Sequence, residues 1–347
     1  MKSLPRRVTL KELAARLGIH HTSVSRALRG HPRISEAMTA RVRKLAAELG
    51  YEPDPYLTGL AAYRQGQGDS KFAGVLAWVT NWRTREGWRT WQPILTTATY
   101  FGGAEKRAAE LGYRLEEFWL GDHGTDMNRG LRILRARGIQ GLLFAPQPDP
   151  HTRLEVDLSW FSAVSFGLTL ESPALHVVTS HSYRTMIGTL EKLRELGYRR
   201  PGLATTYFHE ERINRAWTAA FWAYQAERGK RRVVPPLVMP DLDRKLFEAW
   251  LQKQRPDVVM ASNSMVTRGW LEAGGRRIPD DIGLVPTIIS DNSFLSGMNE
   301  NGPVIGAAAV DLLVSMLHRN ERGVPTHPQR VLIEGSWVDG KSVRRQR

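Results

Sequence analysis

Val8-Thr9-Leu10-Lys11-Glu12-Leu13-Ala14-Ala15-Arg16-Leu17-Gly18-Ile19-His20-His21-Thr22-Ser23-Val24-Ser25-Arg26-Ala27-Leu28 carries two helical periods joined at a glycine. Leu10, Leu13, Ala14 and Leu17 recur at three- and four-residue steps, with Thr9 placed to cap and Gly18 placed to stop. Val24, Ala27 and Leu28 share one face of a second short helix, and its polar residues take the other. A third helix begins at Ser35, with Glu36 in its first turn and Met38, Val42, Leu45, Ala46 and Leu49 as its apolar stripe before Gly50. These three helices make a small all-α head with a helix-turn-helix arrangement, in which the second helix enters the major groove of DNA.

Charge supports that reading. The chain has 347 residues and a formal net charge of +14, and residues 1–65 hold twelve Lys or Arg against five Asp or Glu. Half of the excess thus sits in the head, as expected for a polyanion partner. With 41% hydrophobic and 24% charged residues the rest reads as ordinary globular protein. The sequence contains no cysteine, which excludes disulfides, thiolate metal sites and cysteine nucleophiles. His20, His21 and His31 lack metal-ligand spacing, and no cofactor is expected. No apolar run suggests a signal peptide or a membrane span, so a cytoplasmic protein with no membrane partner is the expectation.

The prolines of Tyr51-Glu52-Pro53-Asp54-Pro55 end the head, because each disfavours helical geometry in the residue before it. Residues 55–64 have the pattern of one more marginal helix, and Gln65-Gly66-Gln67-Gly68-Asp69 that of a linker. Beyond it, apolar runs alternate with amphipathic stretches, the mark of an α/β body. Expected strands are Phe72–Val79, Arg114–Phe118, Gly141–Ala145, Ala163–Phe166, Gly202–Thr205, Val258–Ala261 and Gly283–Val285. Expected helices are Ile94–Leu111, Asp126–Arg137, Ser182–Leu196, Arg212–Arg228, Leu242–Lys253 and Ile305–Arg319. The domain boundaries read 1–53 for the head, 54–70 for a hinge helix and linker, 71–340 for the body and 341–347 for a basic tail.

Val8–Ala14, Val24–Leu28 and Ala47-Glu48-Leu49-Gly50-Tyr51-Glu52-Pro53 together resemble the lactose-repressor (LacI/GalR) family of bacterial transcription regulators, without a gap to Leu60. The resemblance implies a base-reading pair at His21 and Thr22, a DNA-contacting Arg26 beside them, and a minor-groove wedge at Leu60, with Leu57 in place of a usual small residue. Arg26 suits a bidentate contact to guanine, and His21 and Thr22 suit single hydrogen bonds. Thr9, Ser25, Arg33 and Ser35 suit phosphates. His20 departs from the small polar residue usual at its turn, and Asp54 from the usual asparagine.

Residues 71–340 are similar to that family's effector domain, related in fold to periplasmic sugar-binding proteins, at Gly138–Leu143, Leu196–Arg200 and Ile278–Ile282. The implied body has two lobes crossed three times by the chain, with a ligand cleft at the carboxyl ends of the strands. Candidate effector residues are Asn81, Trp82, Trp91, Gln147, Arg212, Asn263, Ser264 and Asn292. Trp82 and Trp91 belong to an aromatic group with Trp78 and Trp88, for which core packing is the competing role. The hydroxyl clamps usual in the family are largely replaced: Ser180-His181 for an Asp-Asn pair, Ser264 for an aspartate, Thr287-Ile288 for a late acidic residue. Met298-Asn299-Glu300-Asn301 reads as ordering an interlobe crossing.

The function expected is a homodimeric regulator, a repressor, that binds a pseudo-palindromic double-stranded operator and responds to a small-molecule effector, a sugar or sugar derivative. The alternatives are a DNA-binding dimer with no effector and an enzyme with an accessory DNA-binding head. The chain shows no nucleophile elbow, phosphate loop, zinc-binding helix motif or dinucleotide fingerprint for the last, and Gly102-Gly103 opens none.

Overall fold

The computed structural model describes residues 10–28, 34–49, 51, 73–90, 96–124, 126–227, 233–289 and 294–346. The chain divides into two compact units, 1–73 and 74–347. Thr9, Arg33, Leu57, Leu60, Trp91 and Asn292, and the expected hinge helix, lie outside the described residues.

In the head, α1 (Leu10–Leu17), α2 (His21–Leu28) and α3 (Glu36–Glu48) close on Leu13, Ala14, Val24, Ala27, Val42 and Ala46. These are the apolar positions that the sequence spacing aligns. Gly18 takes φ +65°, and the Ile19 amide donates to Ala14 O at 3.1 Å, so α1 ends in a left-handed turn that glycine adopts without strain. Ser35 Oγ accepts from the Met38 amide at 3.3 Å and caps α3.

The body holds two parallel sheets. In the first, strands run in the order β13 (Arg330–Ile333), β7 (His176–Ser180), β5 (Ser162–Phe166), β3 (Gly141–Phe144), β1 (Gly74–Thr80), β2 (Tyr113–Trp119). In the second the order is β11 (Gly283–Pro286), β10 (Val258–Ala261), β8 (Pro201–Thr206), β9 (Leu237–Met239). β3, β5, β8 and β10 are buried along their whole length, because helices cover both faces of a parallel sheet. The chain crosses between lobes after β7, after β11 and after β13, so this is the two-lobed periplasmic-binding-protein-like architecture.

Helix α5 (Thr96–Glu110) packs on α12 (Gly302–Arg319) in the first lobe. Gly103 permits the close approach: a Cβ there would sit 2.1 Å from Pro303 O. A Cβ on Gly306 would sit 2.1 Å from Tyr100 O. Of the two glycines that open no phosphate loop, Gly103 therefore serves a helix crossing, and a Cβ on Gly102 would meet nothing within 4 Å.

Within the two main sheets, three strands have no counterpart among the expected ones, β7, β9 and β13. Each is short, and β9 and β13 are edge strands with partly exposed residues, so neither an apolar run nor clean alternation announces them. Helix α11 (Ser264–Ala273) has no counterpart either, with Gly269 interrupting its period. The single helix expected over Arg212–Arg228 is a correction: α8 (Tyr207–Arg212) and α9 (Ala216–Ala226) are separated by Asn214 and Arg215 at φ +52° and +58°. Residues 341–346, set apart in the sequence as a tail, pack on the second lobe. Ser342 is fully buried, the Arg344 amide donates to the Tyr198 hydroxyl at 3.2 Å, and the Gln346 amide donates to Leu196 O at 2.7 Å.

Candidate functional site

In the head, Val24 and Ala27 turn into the core, which leaves His21, Thr22 and Arg26 exposed on the outer face of α2. Ser25 lies on the same helix. The amides of Ser23 and Val24 donate to His20 O at 2.9 and 3.3 Å. His20 takes over the cap: its Nδ1 accepts from the Thr22 amide at 3.5 Å and lies 2.9 Å from Thr22 Oγ1. The rings of His20 and His21 stand 4.2 Å apart. The residue that departs from the usual small polar cap thus performs the capping with an imidazole.

In the body, the carboxyl ends of both sheets meet at a cavity of about 110 Å³. Thr179 and Ser180 reach it from the end of β7, Arg212 and His209 from α8, Tyr100 from α5, and Glu300 from the crossing after β11. Its volume is small beside the roughly 300–1,000 Å³ of ordinary ligand pockets. The lobes are drawn together, and two contacts across the boundary show how.

Arg212 is 9% exposed and donates from Nη1 to Gln147 O at 2.9 Å and to Pro148 O at 2.7 Å, both beyond β3 of the other lobe. Burial lowers its pKa to about 10, still well above neutrality, so the guanidinium stays charged. At the rim, His151 Nε2 lies 2.9 Å from Glu211 of the second lobe, and its Nδ1 lies 3.2 Å from Glu171 of its own. The bond to Glu211 raises the imidazole pKa. His151 has φ +57°. Inside, burial pushes His209 down to about 4, with the Arg212 charge acting in the same direction, so the ring is neutral. Its Nδ1 lies 2.7 Å from Thr206 Oγ1, and its Nε2 has no hydrogen-bond partner.

The expected effector residues fall in different places. Arg212 lines the cavity. Gln147 lies at the same strand end, its Nε2 donating to Ala145 O at 2.6 Å and its buried Oε1 without a partner. Asn81 is half-buried beyond β1, its Oδ1 also without a partner. Trp82 is 6% exposed, and its Nε1 donates to Pro146 O at 3.0 Å, which ties the ring to the lobe. Trp78 and Trp88 are fully enclosed with Phe101 and Phe166 in one aromatic core. Asn263 caps α11, its Oδ1 accepting from the Val266 amide at 3.2 Å, and Ser264 opens that helix; neither lines the cavity.

Sequence reading missed His209 and Tyr100 at the cavity. Nothing distinguishes a polar residue in an amphipathic helix from one aimed into a cleft until the strand ends are placed. Glu300 lay in a segment read as interlobe, and it both belongs to the crossing and lines the cavity, 3% exposed. Among the described residues no acidic, histidine or cysteine cluster suits a metal ion, and no helix is long and apolar enough to cross a membrane.

A helix-turn-helix head joined to a two-lobed α/β body defines a DNA-binding transcriptional regulator. Residues 9–54 match the bacterial regulatory proteins of the lacI family, and residues 190–343 match the periplasmic binding protein-like domain. The chain thus carries a LacI-family helix-turn-helix domain and a periplasmic-binding-protein-like domain. The HTH-type transcriptional regulator AglR of Rhizobium meliloti (strain 1021) is 47% identical over 47 residues, 14% of this chain and 13% of AglR, so that likeness concerns a small part of each chain. The uncharacterized HTH-type transcriptional regulator YkvZ of Bacillus subtilis (strain 168) is 21% identical over 288 residues, 80% of this chain and 82% of YkvZ. Among solved structures, the lac repressor dimer bound to operator and the anti-inducer ONPF superposes with a TM-score of 0.55 at 16% identity, covering 97% of this chain and 99% of that one. The transcriptional regulator CelR in complex with cellobiose gives 0.52 at 18% identity, covering 97% and 100%.

Proposed function

We propose that this regulator binds a pseudo-palindromic operator as a homodimer, acts as a repressor, and is modulated by a small uncharged hydroxyl-bearing effector, a sugar or sugar derivative, held in the interlobe cleft. The observation that carries the reading is the recognition helix: His21, Thr22 and Arg26 stand together on the exposed face of α2 while its apolar face holds the head together. Arg26 is the guanine reader, His21 and Thr22 read the neighbouring bases, and Thr9, Ser25, Arg33 and Ser35 hold phosphates. Leu60, with Leu57, is the wedge between base steps.

For the effector, hydroxyls of Thr179 and Ser180 and unpartnered polar atoms of Gln147 and His209 suit a ligand whose hydroxyls donate and accept in turn. His209 is neutral and Nη1 of the cavity-lining Arg212 is bound to two carbonyls, which favours an uncharged ligand over an anionic one. The contact of Arg212 with the opposite lobe favours one second reading, a DNA-binding dimer whose cleft is held shut by its own residues and takes no effector. An enzymatic role has no supporting constellation among the described residues.

The test is selection of binding sites for the full-length protein from a randomised duplex library at physiological salt. An enriched inverted repeat with a flexible pyrimidine–purine step at its centre is expected. Binding that is only non-specific and steeply salt-dependent overturns the reading. With the enriched site as probe, a change of operator affinity in a panel of neutral sugars decides between the effector reading and the self-closed dimer.

A further inference from the structure

His20 occupies the position just before the recognition helix, and its Nδ1 faces both the amide and the hydroxyl of Thr22. The Thr22 amide donates to Nδ1 at 3.5 Å. That contact requires Nδ1 to carry a lone pair, so the neutral tautomer has its proton on Nε2. The Thr22 hydroxyl, 2.9 Å from the same Nδ1, must then be the donor. A hydroxyl has one hydrogen and two lone pairs, and here the hydrogen is committed. What Thr22 Oγ1 turns toward the outside of α2 is acceptor only. His181 Nδ1 accepts from the Arg184 amide at 3.5 Å at the start of helix α7 (Ser182–Glu195), so the chain uses the same imidazole cap a second time.

An ordinary threonine in a recognition helix reads any base edge, because its hydroxyl rotates to donate to guanine O6 or thymine O4, or to accept from adenine N6 or cytosine N4. We propose that His20 is a positioning residue that removes this freedom, fixing the Thr22 hydroxyl as an acceptor so that it selects adenine or cytosine on the strand it faces. The inference rests on the proposed operator recognition by α2 and adds the chemical class of base edge that one of its side chains takes. His20 itself touches no base in this scheme; it acts through the Thr22 hydroxyl and the helix cap.

The test repeats the site selection with the full-length wild type, Thr22→Val, His20→Asn and His20→Ala. Thr22→Val identifies the position in each half-site that Thr22 reads, as the one whose preference disappears. At that position the wild type is expected to favour adenine or cytosine by about tenfold, the scale of one well-placed hydrogen bond. His20→Asn supplies an amide oxygen that caps and accepts in the same place, and it is expected to retain the preference. His20→Ala is expected to reduce it to within about twofold while the other positions of the half-site stay enriched; those positions report that the head remains folded. A guanine or thymine preference at the Thr22 position overturns the proposal, as does an unchanged preference in His20→Ala, or a Thr22→Val that alters no position. If the wild type enriches no motif at all, operator recognition by α2 fails first, and the proposal falls with it.

Discussion

The guanidinium of Arg212, rooted in the second lobe at the end of α8, donates to the carbonyl of Pro148 in the first lobe at 2.7 Å. Its second bond, to Gln147 O, makes one nitrogen the hinge pin of the closed cleft. The break between α8 and α9 makes this possible. Two left-handed residues, Asn214 and Arg215, stop the helix just past Arg212 and place that side chain at a helix end, where it points across the boundary.

Arg212→Ala is expected to leave both carbonyls without their donor and to cost about 1–3 kcal/mol for each that stays buried. The body should then melt at lower temperature and scatter as a larger particle in solution, as the lobes part. Arg212→Lys keeps the charge but not the planar fork, and is expected to recover the closed dimensions only partly. Unchanged scattering in Arg212→Ala would show that closure is held elsewhere.

The rim contact of His151 responds to pH. Glu171 and Glu211 face the ring, backed by Arg153 and by Arg215 respectively. The bond to Glu211 raises the imidazole pKa in the closed form, so the clasp is fully present below the ordinary histidine value and is lost as pH rises through the raised one. Fluorescence transfer between labels on the two lobes should fall over that interval in the wild type. In His151→Gln the same titration should be flat, because the amide does not ionise; an identical fall would assign the pH response to another group.

Much of this architecture is legible in the sequence. The head follows from apolar spacing: Leu13, Val24 and Val42 need one another because each lies on a helix too short to stand alone. The central strands, buried on both faces, announce themselves as continuous apolar runs. β9 and β13 do not, since partly exposed edge strands lack that run; the expected helix Arg212–Arg228 runs through the break before α9, because positive φ at Asn214 and Arg215 leaves no mark in hydrophobic periodicity, and it includes only the last residue of α8. The cleft was found through the carboxyl ends of strands, which brought in Arg212 and Gln147. Asn263 has an amide suited to a ligand and serves as a helix cap instead. His209 and Tyr100 were invisible because their importance lies in what faces them.

The crossing of α5 and α12 depends on absent side chains. A Cβ on Gly103 would meet Pro303 O at 2.1 Å and its Cα at 2.5 Å, and these are backbone atoms that cannot swing away. Gly103→Ala is expected to force the helices apart and destabilise the body by about 1–3 kcal/mol in urea unfolding. Gly102→Ala, where an added Cβ meets nothing within 4 Å, is the matched control and is expected to be neutral or slightly stabilising. Equal losses in both would locate the cost in helix propensity rather than in the crossing.

Ser35 separates stability from affinity in the head. Its Oγ accepts from the Met38 amide at 3.3 Å and caps α3, while the hydroxyl hydrogen remains available for the phosphate contact proposed above. Ser35→Ala removes both functions: about 1 kcal/mol of helix stability, and one phosphate contact felt equally on every DNA sequence. Ser35→Asp divides them. Its carboxylate is a good cap and suits the positive end of α3, so the melting temperature should hold, whereas a negative charge beside phosphate should weaken operator and random DNA alike. Measuring both duplexes across a salt series then gives the reading: a parallel loss for Ser35→Asp at unchanged melting temperature places Ser35 at the backbone. A loss confined to the operator would instead make it a base reader.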